Sequence, residues 1–188
     1  MNNMKFGFIL PGRDFSNRFI DSWTNLLHNM PKEWEWFHIC GYAPNVFYNR
    51  EALLYRAKVF KPTHYMWIDS DQVFDFKMFE KLVNYDLPIV SGIYKKSPEL
   101  YACCGIDGKT LTVEGLKGKI ELMEVKANGM GFMLVKREVF DRILDPFEPI
   151  DFDQWEDFSF QHKAREAGFK SYIDPTLVVG HEKKIVYQ

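Results

Sequence analysis

The first ninety residues of this chain alternate between short apolar runs and segments with helical periodicity. The apolar runs cover residues 6–10, 36–41, 64–68 and 87–93. Between the first two, Phe19, Trp23 and Leu26 recur at helical spacing behind Ser16, a residue type that often caps helices. Similar periodicity over 47–60 and after Asp75 predicts two more helices. This alternation predicts βαβ units on a largely parallel sheet, an architecture typical of nucleotide-binding proteins.

The pattern changes beyond residue 101. Short runs over 102–125 are interrupted by glycines, which predicts hairpins at one edge of the sheet. A further strand is expected over 130–135, helices over 137–144 and 155–167, and closing strands over 169–173 and 177–179. With 188 residues and no linker or internal repeat, we expect one domain covering 1–188.

Charge and composition exclude several classes of protein. The 24 basic and 26 acidic residues are mixed along the chain, so no basic stripe suits nucleic acid. The run 6–10 is too short for a signal peptide or a membrane span, and no other segment approaches eighteen apolar residues. Cys40, Cys103 and Cys104 are odd in number and lack metal-binding spacing. We therefore expect a cytoplasmic protein without a membrane span.

The apolar run 64–68 ends abruptly in Asp69-Ser70-Asp71. In open α/β sheets, ligands gather at the carboxyl ends of the strands. Two carboxylates one residue apart can hold a divalent cation that neutralises a departing diphosphate. The alternative is a turn followed by a helix cap. The spacing alone is not specific, because a second Asp-x-Asp at 151–153 follows Pro149, where capping and solvated acids are expected.

Three further residues are candidates for chemistry. Glu156 and Asp157 begin a predicted helix, where the helix dipole favours carboxylates in any case. Alternatively, one of them is a general base for an acceptor hydroxyl, and Asp157 is the preferred choice. His181 follows an apolar strand, and an imidazole beside carboxylates suits manganese, although a lone histidine is often structural. The lysines that follow it could contact a diphosphate or be solvated.

Taken together, the sequence resembles nucleotide-sugar glycosyltransferases of the GT-A fold, including small virus-encoded members. The matching segments are 6–13, Tyr48-Asn49-Arg50, 65–71, 128–140, 155–157, 166–169, Asp174-Pro175 and His181. The resemblance implies an α/β fold of the GT-A nucleotide-diphospho-sugar transferase type, with a mostly parallel central sheet flanked by helices and a small antiparallel edge. It also implies a donor nucleotide-binding half, 1–95, and an acceptor and metal-completing half, 96–188.

The resemblance further implies roles for individual residues. Asp71, His181 and Asp69 would hold Mn²⁺ or Mg²⁺, while Asp157 and Glu156 would be catalytic. The sequence leaves open whether the reaction inverts or retains the anomeric centre: Asp157 would be the base if it inverts and a positioning group if it retains. Trp155 would stack on an acceptor sugar, unless it is a core residue. The nucleotide sugar would contact Pro11, Gly12, Arg13, Arg50, Asp69, Ser70, Asp71, Gly129 and Lys184.

The predicted activity is metal-dependent transfer of a hexose-like sugar from a nucleoside diphosphate sugar to a hydroxyl of a glycan or glycoprotein acceptor. A UDP sugar is the favoured donor. One alternative is a nucleotidyltransferase, but such enzymes usually carry a glycine-rich basic loop after the first strand, and Pro11-Gly12-Arg13-Asp14 is a poor version of it. The other alternative is a non-catalytic sugar- or nucleotide-binding module of the same fold.

Overall fold

The computed structural model describes residues 4–151 and 155–183. The strands are β1 (Lys5–Pro11), β2 (Glu35–Gly41), β3 (His64–Ile68), β4 (Gln72–Val73), β5 (Ile89–Ile93), β6 (Leu100–Gly105), β7 (Thr110–Thr112), β8 (Met123–Asn128), β9 (Phe132–Lys136), β10 (Ser171–Val178) and β11 (Gly180–His181). The helices are α1 (Asn17–Asn29), α2 (Val46–Lys58), α3 (Phe76–Asn84), α4 (Val113–Leu116), α5 (Arg137–Arg142) and α6 (Glu156–Glu166).

A nine-stranded sheet organises the described residues, in the order β2-β1-β3-β9-β5-β10-β8-β6-β7. β1 is parallel to β2 and β3, and β10 is parallel to β5. β8, β6 and β7 continue in antiparallel fashion to one edge. The predicted α/β fold with an antiparallel edge is therefore confirmed. The sequence did not predict that β9 would lie between β3 and β5 and run antiparallel to both.

Helices cover both faces of the sheet. On β3, Tyr65 and Trp67 pack into the core beneath α2, α5 and α6, whereas Met66 and Ile68 pack into the core beneath α1 and α3. A strand buried on both faces reads as a continuous apolar run, which explains the sequence pattern. The predicted caps are also present: Ser16 Oγ accepts the Phe19 N–H at 3.0 Å, and Asp75 Oδ1 accepts the Met78 N–H at 2.9 Å.

The end of the described chain differs from the expectation. The two closing strands predicted over 169–173 and 177–179 are one strand, β10, with an irregular register between Ile173 and Val178. The chain then forms β11, which pairs antiparallel with β4. Elements of two residues are too short to show a periodicity, so the sequence could not predict this small sheet. The pairing places His181 beside the turn that follows β3.

Within 4–151 and 155–183, no helix combines the length and the apolar character needed to cross a bilayer.

Candidate active site

A cleft of about 340 Å³ opens at the carboxyl ends of β1 and β3, where α2 begins. We call it the β1–β3 cleft. Among the residues that line it are Pro11, Gly12, Arg13, Arg50, Asp69, Ser70 and Asp71. A neighbouring hollow of about 470 Å³ shares Arg13, Ser70 and Asp71 with it and reaches Glu182 and Lys183. The structure thus brings together the predicted nucleotide-sugar residues, apart from Gly129 and Lys184.

Gly12 allows the ends of β1 and β3 to approach closely. Its N–H donates to the Gly41 carbonyl at 3.0 Å. A Cβ at this position would lie 2.3 Å from both Cβ and Oγ of Ser70. Any larger residue would therefore push the Asp69-Ser70-Asp71 turn away from β1.

Arg50 is the buried centre of the acidic side of the site. Only 3% of the residue is exposed. Its Nε donates to Glu156 Oε1 at 2.9 Å, and Nη2 donates to Asp69 Oδ1 at 3.0 Å and Oδ2 at 3.3 Å. Its guanidinium also lies over the Trp67 ring, 5.5 Å from the centroid. Burial disfavours the charge, but the attraction of Asp69 and Glu156 outweighs it, so the pKa of Arg50 is raised and the guanidinium stays charged.

Asp71 and His181 meet at the mouth of the cleft. His181 Nε2 lies 3.0 Å from Asp71 Oδ2. On the other side of the ring, Nδ1 lies 2.6 Å from the Lys95 carbonyl oxygen. Because a carbonyl only accepts hydrogen bonds, Nδ1 must carry a proton. Nε2 therefore points at the carboxylate and can share a proton with it or bind a cation.

The charges of this pair support each other. Burial raises the pKa of Asp71, but the hydrogen bond from His181 outweighs this, so that pKa is lowered overall. Burial likewise lowers the pKa of His181, and the hydrogen bonds to Asp71 and Lys95 outweigh it, so that pKa is raised overall. Both shifts favour the charged forms of the pair, a carboxylate and an imidazolium.

The donor set fits a divalent cation of the manganese type. The carboxylate oxygen of Asp71 and the Nε2 atom of His181 lie close enough to bind one cation. The other ring nitrogen, Nδ1, is held by the Lys95 carbonyl, as is usual for metal-binding histidines. Gln72 Nε2 donates to Asp71 Oδ1 at 3.2 Å, which leaves Oδ2 directed at His181. Asp69 instead turns both oxygens toward Arg50. Across 4–151 and 155–183, no three acidic, histidine or cysteine side chains converge on one point.

The start of α6 completes the acidic cluster. Glu156 is buried as the partner of Arg50. Asp157 is partly buried, and its Oδ1 accepts the N–H of Phe158 at 2.8 Å. Burial and the charge of Glu156 raise the pKa of Asp157 to about 7, although Arg50 partly offsets them. Asp157 can therefore exchange a proton near neutral pH. Trp155, just before the helix, is 72% exposed and is not a core residue.

Gly129 has a different environment from the other predicted residues. It is buried and packs against Tyr94, whose hydroxyl would lie 2.0 Å from a Cβ at Gly129. The Tyr94 hydroxyl accepts the Gly131 N–H at 3.3 Å, and its ring meets that of His181 edge-on, with 4.8 Å between centroids. Gly129 thus makes room for the aromatic ring that supports His181. A contact of Gly129 with the nucleotide sugar stays a prediction.

Sequence reasoning missed Gln72 and Tyr94. Gln72 directly follows Asp71, and Tyr94 follows the carboxyl end of β5, so their positions carried some signal. The Lys95 carbonyl could not be found this way, because every residue has one. Lys184 and Asp153, also named from the sequence, lie outside the described residues.

The sequence matches no protein-family model and none of the curated proteins. The structure, however, is similar to solved ones. The crystal structure of A197 from STIV matches with a TM-score of 0.63 and 20% identity, covering 98% of this chain and 97% of that one. The crystal structure of GalNAc-T7 with UDP, GalNAc and Mn²⁺ matches with a TM-score of 0.59 and 13% identity, covering 98% of this chain and 45% of that one. The chain therefore has a GT-A type glycosyltransferase fold.

Proposed function

We propose that this chain is a metal-dependent glycosyltransferase. It moves a sugar from a nucleoside diphosphate sugar, with a UDP sugar favoured, to a hydroxyl of a glycan or glycoprotein acceptor. The observation that carries the proposal is the contact of Asp71 with His181 at the carboxyl end of β3. The GalNAc-T7 structure of the same fold contains UDP, GalNAc and Mn²⁺, which supports this donor and metal class. We treat 1–188 as one domain, with the donor in its first half and the acceptor in its second.

Asp71 and His181 would hold the metal, Mn²⁺ or Mg²⁺. When bound, such an ion acts as a Lewis acid toward the oxygens of the leaving diphosphate. Gln72 and the Lys95 carbonyl orient the side chains of Asp71 and His181 before the metal or the nucleotide sugar binds. Asp69 lies next to this pair and is kept in place by Arg50.

The β1–β3 cleft would hold the nucleotide. Pro11, Gly12, Arg13 and Ser70 form its walls between the strand ends. Arg50 also lines it, and its Nη1 is buried without a hydrogen-bond partner among the described residues. A buried donor of this kind is costly unless it is satisfied, which favours a polar ligand atom at this depth of the cleft.

Asp157 is the proposed general base. Its carboxylate takes the proton of the acceptor hydroxyl while that oxygen bonds to the anomeric carbon and the bond from this carbon to the diphosphate oxygen breaks. A single displacement of this kind inverts the anomeric centre. Glu156, which the sequence also nominated as catalytic, remains paired with Arg50 and fixes the start of α6. Trp155 would contact the acceptor.

Two other functions would use the same fold. A nucleotidyltransferase would need donors for a triphosphate after β1, and the segment Pro11-Gly12-Arg13-Asp14 offers one glycine and one cation. A non-catalytic module would bind the nucleotide sugar without turning it over. The contact of Asp71 with His181, together with a carboxylate at Asp157 whose pKa is raised to about 7, favours the transferase over both.

A direct assay separates the three functions. The chain is incubated with Mn²⁺ and a panel of UDP, GDP, CDP and TDP sugars, and the released nucleoside diphosphate is measured. In parallel, nucleoside triphosphates are offered with sugar 1-phosphates, and released pyrophosphate is measured. A transferase releases diphosphate from one donor class, and Asp71→Asn stops this while Asp21→Asn, an exposed helix position, does not. Pyrophosphate release alone, or no release in either arm, would contradict the proposal.

A further inference from the structure

A second cleft, of about 610 Å³, lies between α6 and strands β6 and β8. We call it the α6 cleft. Trp155, Phe158, His162 and Arg165 line it from the start and one face of α6, Lys126 lines it from β8, and Ile106 from the turn after β6. None of these residues takes part in the β1–β3 cleft or in the contact of Asp71 with His181.

The α6 cleft starts beside the proposed base. Trp155 and Phe158, two and one positions from Asp157, both line it. The backbone N–H of Phe158 is also the group that holds Asp157 Oδ1, at 2.8 Å. A molecule lying in the cleft would therefore contact Phe158, the residue that directly follows the proposed base and holds its carboxylate.

Large apolar side chains are exposed along this cleft. Trp155 is 72% exposed and Ile106 is 55% exposed. An aromatic ring left open at the edge of a pocket offers a flat apolar surface with a polar N–H, which suits the faces of sugar rings. Such exposure next to a cavity is a mark of a binding surface.

The charge of the lining is positive. Its ionisable side chains include Lys126, His162 and Arg165, and no carboxylate lies among the lining residues of the described chain. Arg165 pairs with Glu124 at 3.0 Å, but Glu124 is shared with Lys170 at 2.8 Å. His162 is 3.5 Å from Glu166, and Asp107 at the turn is 3.9 Å from Lys109.

Among the cations that line the α6 cleft, Lys126 has the least neutralisation by nearby carboxylates. It is exposed, and within the described ranges no ion pair engages it. Glu124 carries one negative charge against Arg165 and Lys170, so the surroundings of Lys126 keep an excess of positive charge. This excess contrasts with the whole chain, whose net charge is -2.

We propose that the α6 cleft binds the acceptor and that this acceptor is an acidic saccharide. A sugar ring packs on Trp155, and a carboxylate, phosphate or sulfate group of the saccharide lies at Lys126. This proposal rests on the proposed function, because it identifies the acceptor of that reaction. It adds the chemical class of the molecule that receives the sugar.

The test uses a glycan array with acidic and neutral saccharides, probed with the full chain in the absence of a donor. Carboxylated, phosphorylated and sulfated glycans are separate groups, which distinguishes the possible sources of the negative charge. We expect binding to acidic glycans that weakens as salt rises. Lys126→Glu should weaken it about tenfold or more, and Trp155→Ala should weaken it as well, whereas Lys32→Glu, an exposed position before β2, should not.

Other results would overturn the proposal. Equal binding of neutral and acidic glycans, no binding to any glycan, or acidic binding that Lys126→Glu leaves unchanged would each exclude it. The melting shift of the unsubstituted chain with UDP and Mn²⁺ is measured on the same preparation. A retained shift without acidic glycan binding refutes the acceptor inference alone, whereas a missing shift refutes the proposed donor function.

Discussion

His181 Nε2 lies 3.0 Å from Asp71 Oδ2, although the two residues are 110 positions apart in the chain. Pairing of β11 with β4 makes this contact possible, and the Glu182 N–H adds a bond to the Asp71 carbonyl at 2.8 Å. The proposed metal-binding pair therefore forms only when residues 180–182 lie on the turn after β3. Metal binding and docking of this segment should stabilise each other.

Gln72 orients the carboxylate of Asp71, the proposed metal ligand. Gln72→Leu removes the amide that donates to Asp71 Oδ1. It replaces this amide with an apolar side chain of similar size, which suits the fully buried position. We expect Mn²⁺ affinity to fall about 10- to 100-fold, because partners behind the ligands typically contribute this much. Titration of free Mn²⁺ by electron paramagnetic resonance measures it.

Ser22→Ala is the matched control for Gln72→Leu. Ser22 is also buried, and its Oγ accepts the Phe74 N–H at 3.0 Å rather than contacting Asp71 or His181. Both substitutions should lower stability, but Ser22→Ala should leave Mn²⁺ affinity intact. Equal affinity in the Gln72 variant and the unsubstituted chain would show that Asp71 does not depend on Gln72.

The fold and the β1–β3 cleft could be predicted from the sequence because local signals mark them. Apolar strands, caps such as Ser16 and Asp75, and polar residues at strand ends are each visible within a few positions. The central place of β9 could not be predicted, since its direction depends on pairing with β3 and β5 rather than on its own residues. The pairing of β4 with β11 is equally non-local.

The ion pairs around Arg50 could not be predicted from the sequence either. The sequence nominated Arg50, Asp69 and Glu156 separately, yet only the structure shows that one guanidinium binds both carboxylates. That arrangement assigns different environments to the neighbours Glu156 and Asp157. Nothing in an adjacent acidic pair reveals which member is held in an ion pair and which is free to accept a proton.

The proposed base predicts a pH dependence. Since burial and Glu156 raise the pKa of Asp157 to about 7, its carboxylate form is scarce in acid and predominates above neutrality. Turnover should rise about tenfold per pH unit below this value and level off above it. Asp157→Asn should lower turnover about 10²- to 10⁴-fold and flatten the profile. An unchanged profile in this variant would assign the base to another group.

The same pKa shift predicts an effect on stability. The native state keeps the Asp157 proton between pH 3.8 and about 7, whereas the unfolded chain loses it. The stability contributed by this group is complete below the unfolded pKa and is lost as pH rises through the folded pKa. Asp157→Asn avoids this loss, so its stability relative to the unsubstituted chain should increase from pH 4 to neutrality. Urea unfolding across this range measures it, and a pH-independent difference would contradict it.

Gly12 is predicted to be irreplaceable unless Ser70 changes too. Gly12→Ala places a Cβ 2.3 Å from the Ser70 side chain, and overpacking of this kind costs about 1–3 kcal/mol. We expect weaker binding of UDP with Mn²⁺, measured by calorimetry. The double variant Gly12→Ala, Ser70→Gly removes the colliding atoms and should recover much of the affinity. If the double variant binds as poorly as the single one, the close approach is not the cause.

The central claim is a metal-dependent nucleotide site built on Asp71 and His181. The most direct test is thermal melting with UDP, GDP, CDP and TDP, each with and without Mn²⁺, in the unsubstituted chain and in Asp71→Asn. We predict that one diphosphate, UDP, raises the melting temperature by roughly 5–10 °C at about one hundred times its Kd, only with Mn²⁺, and not in the variant. No Mn²⁺-dependent shift with any diphosphate, or a full shift in Asp71→Asn, would contradict the account.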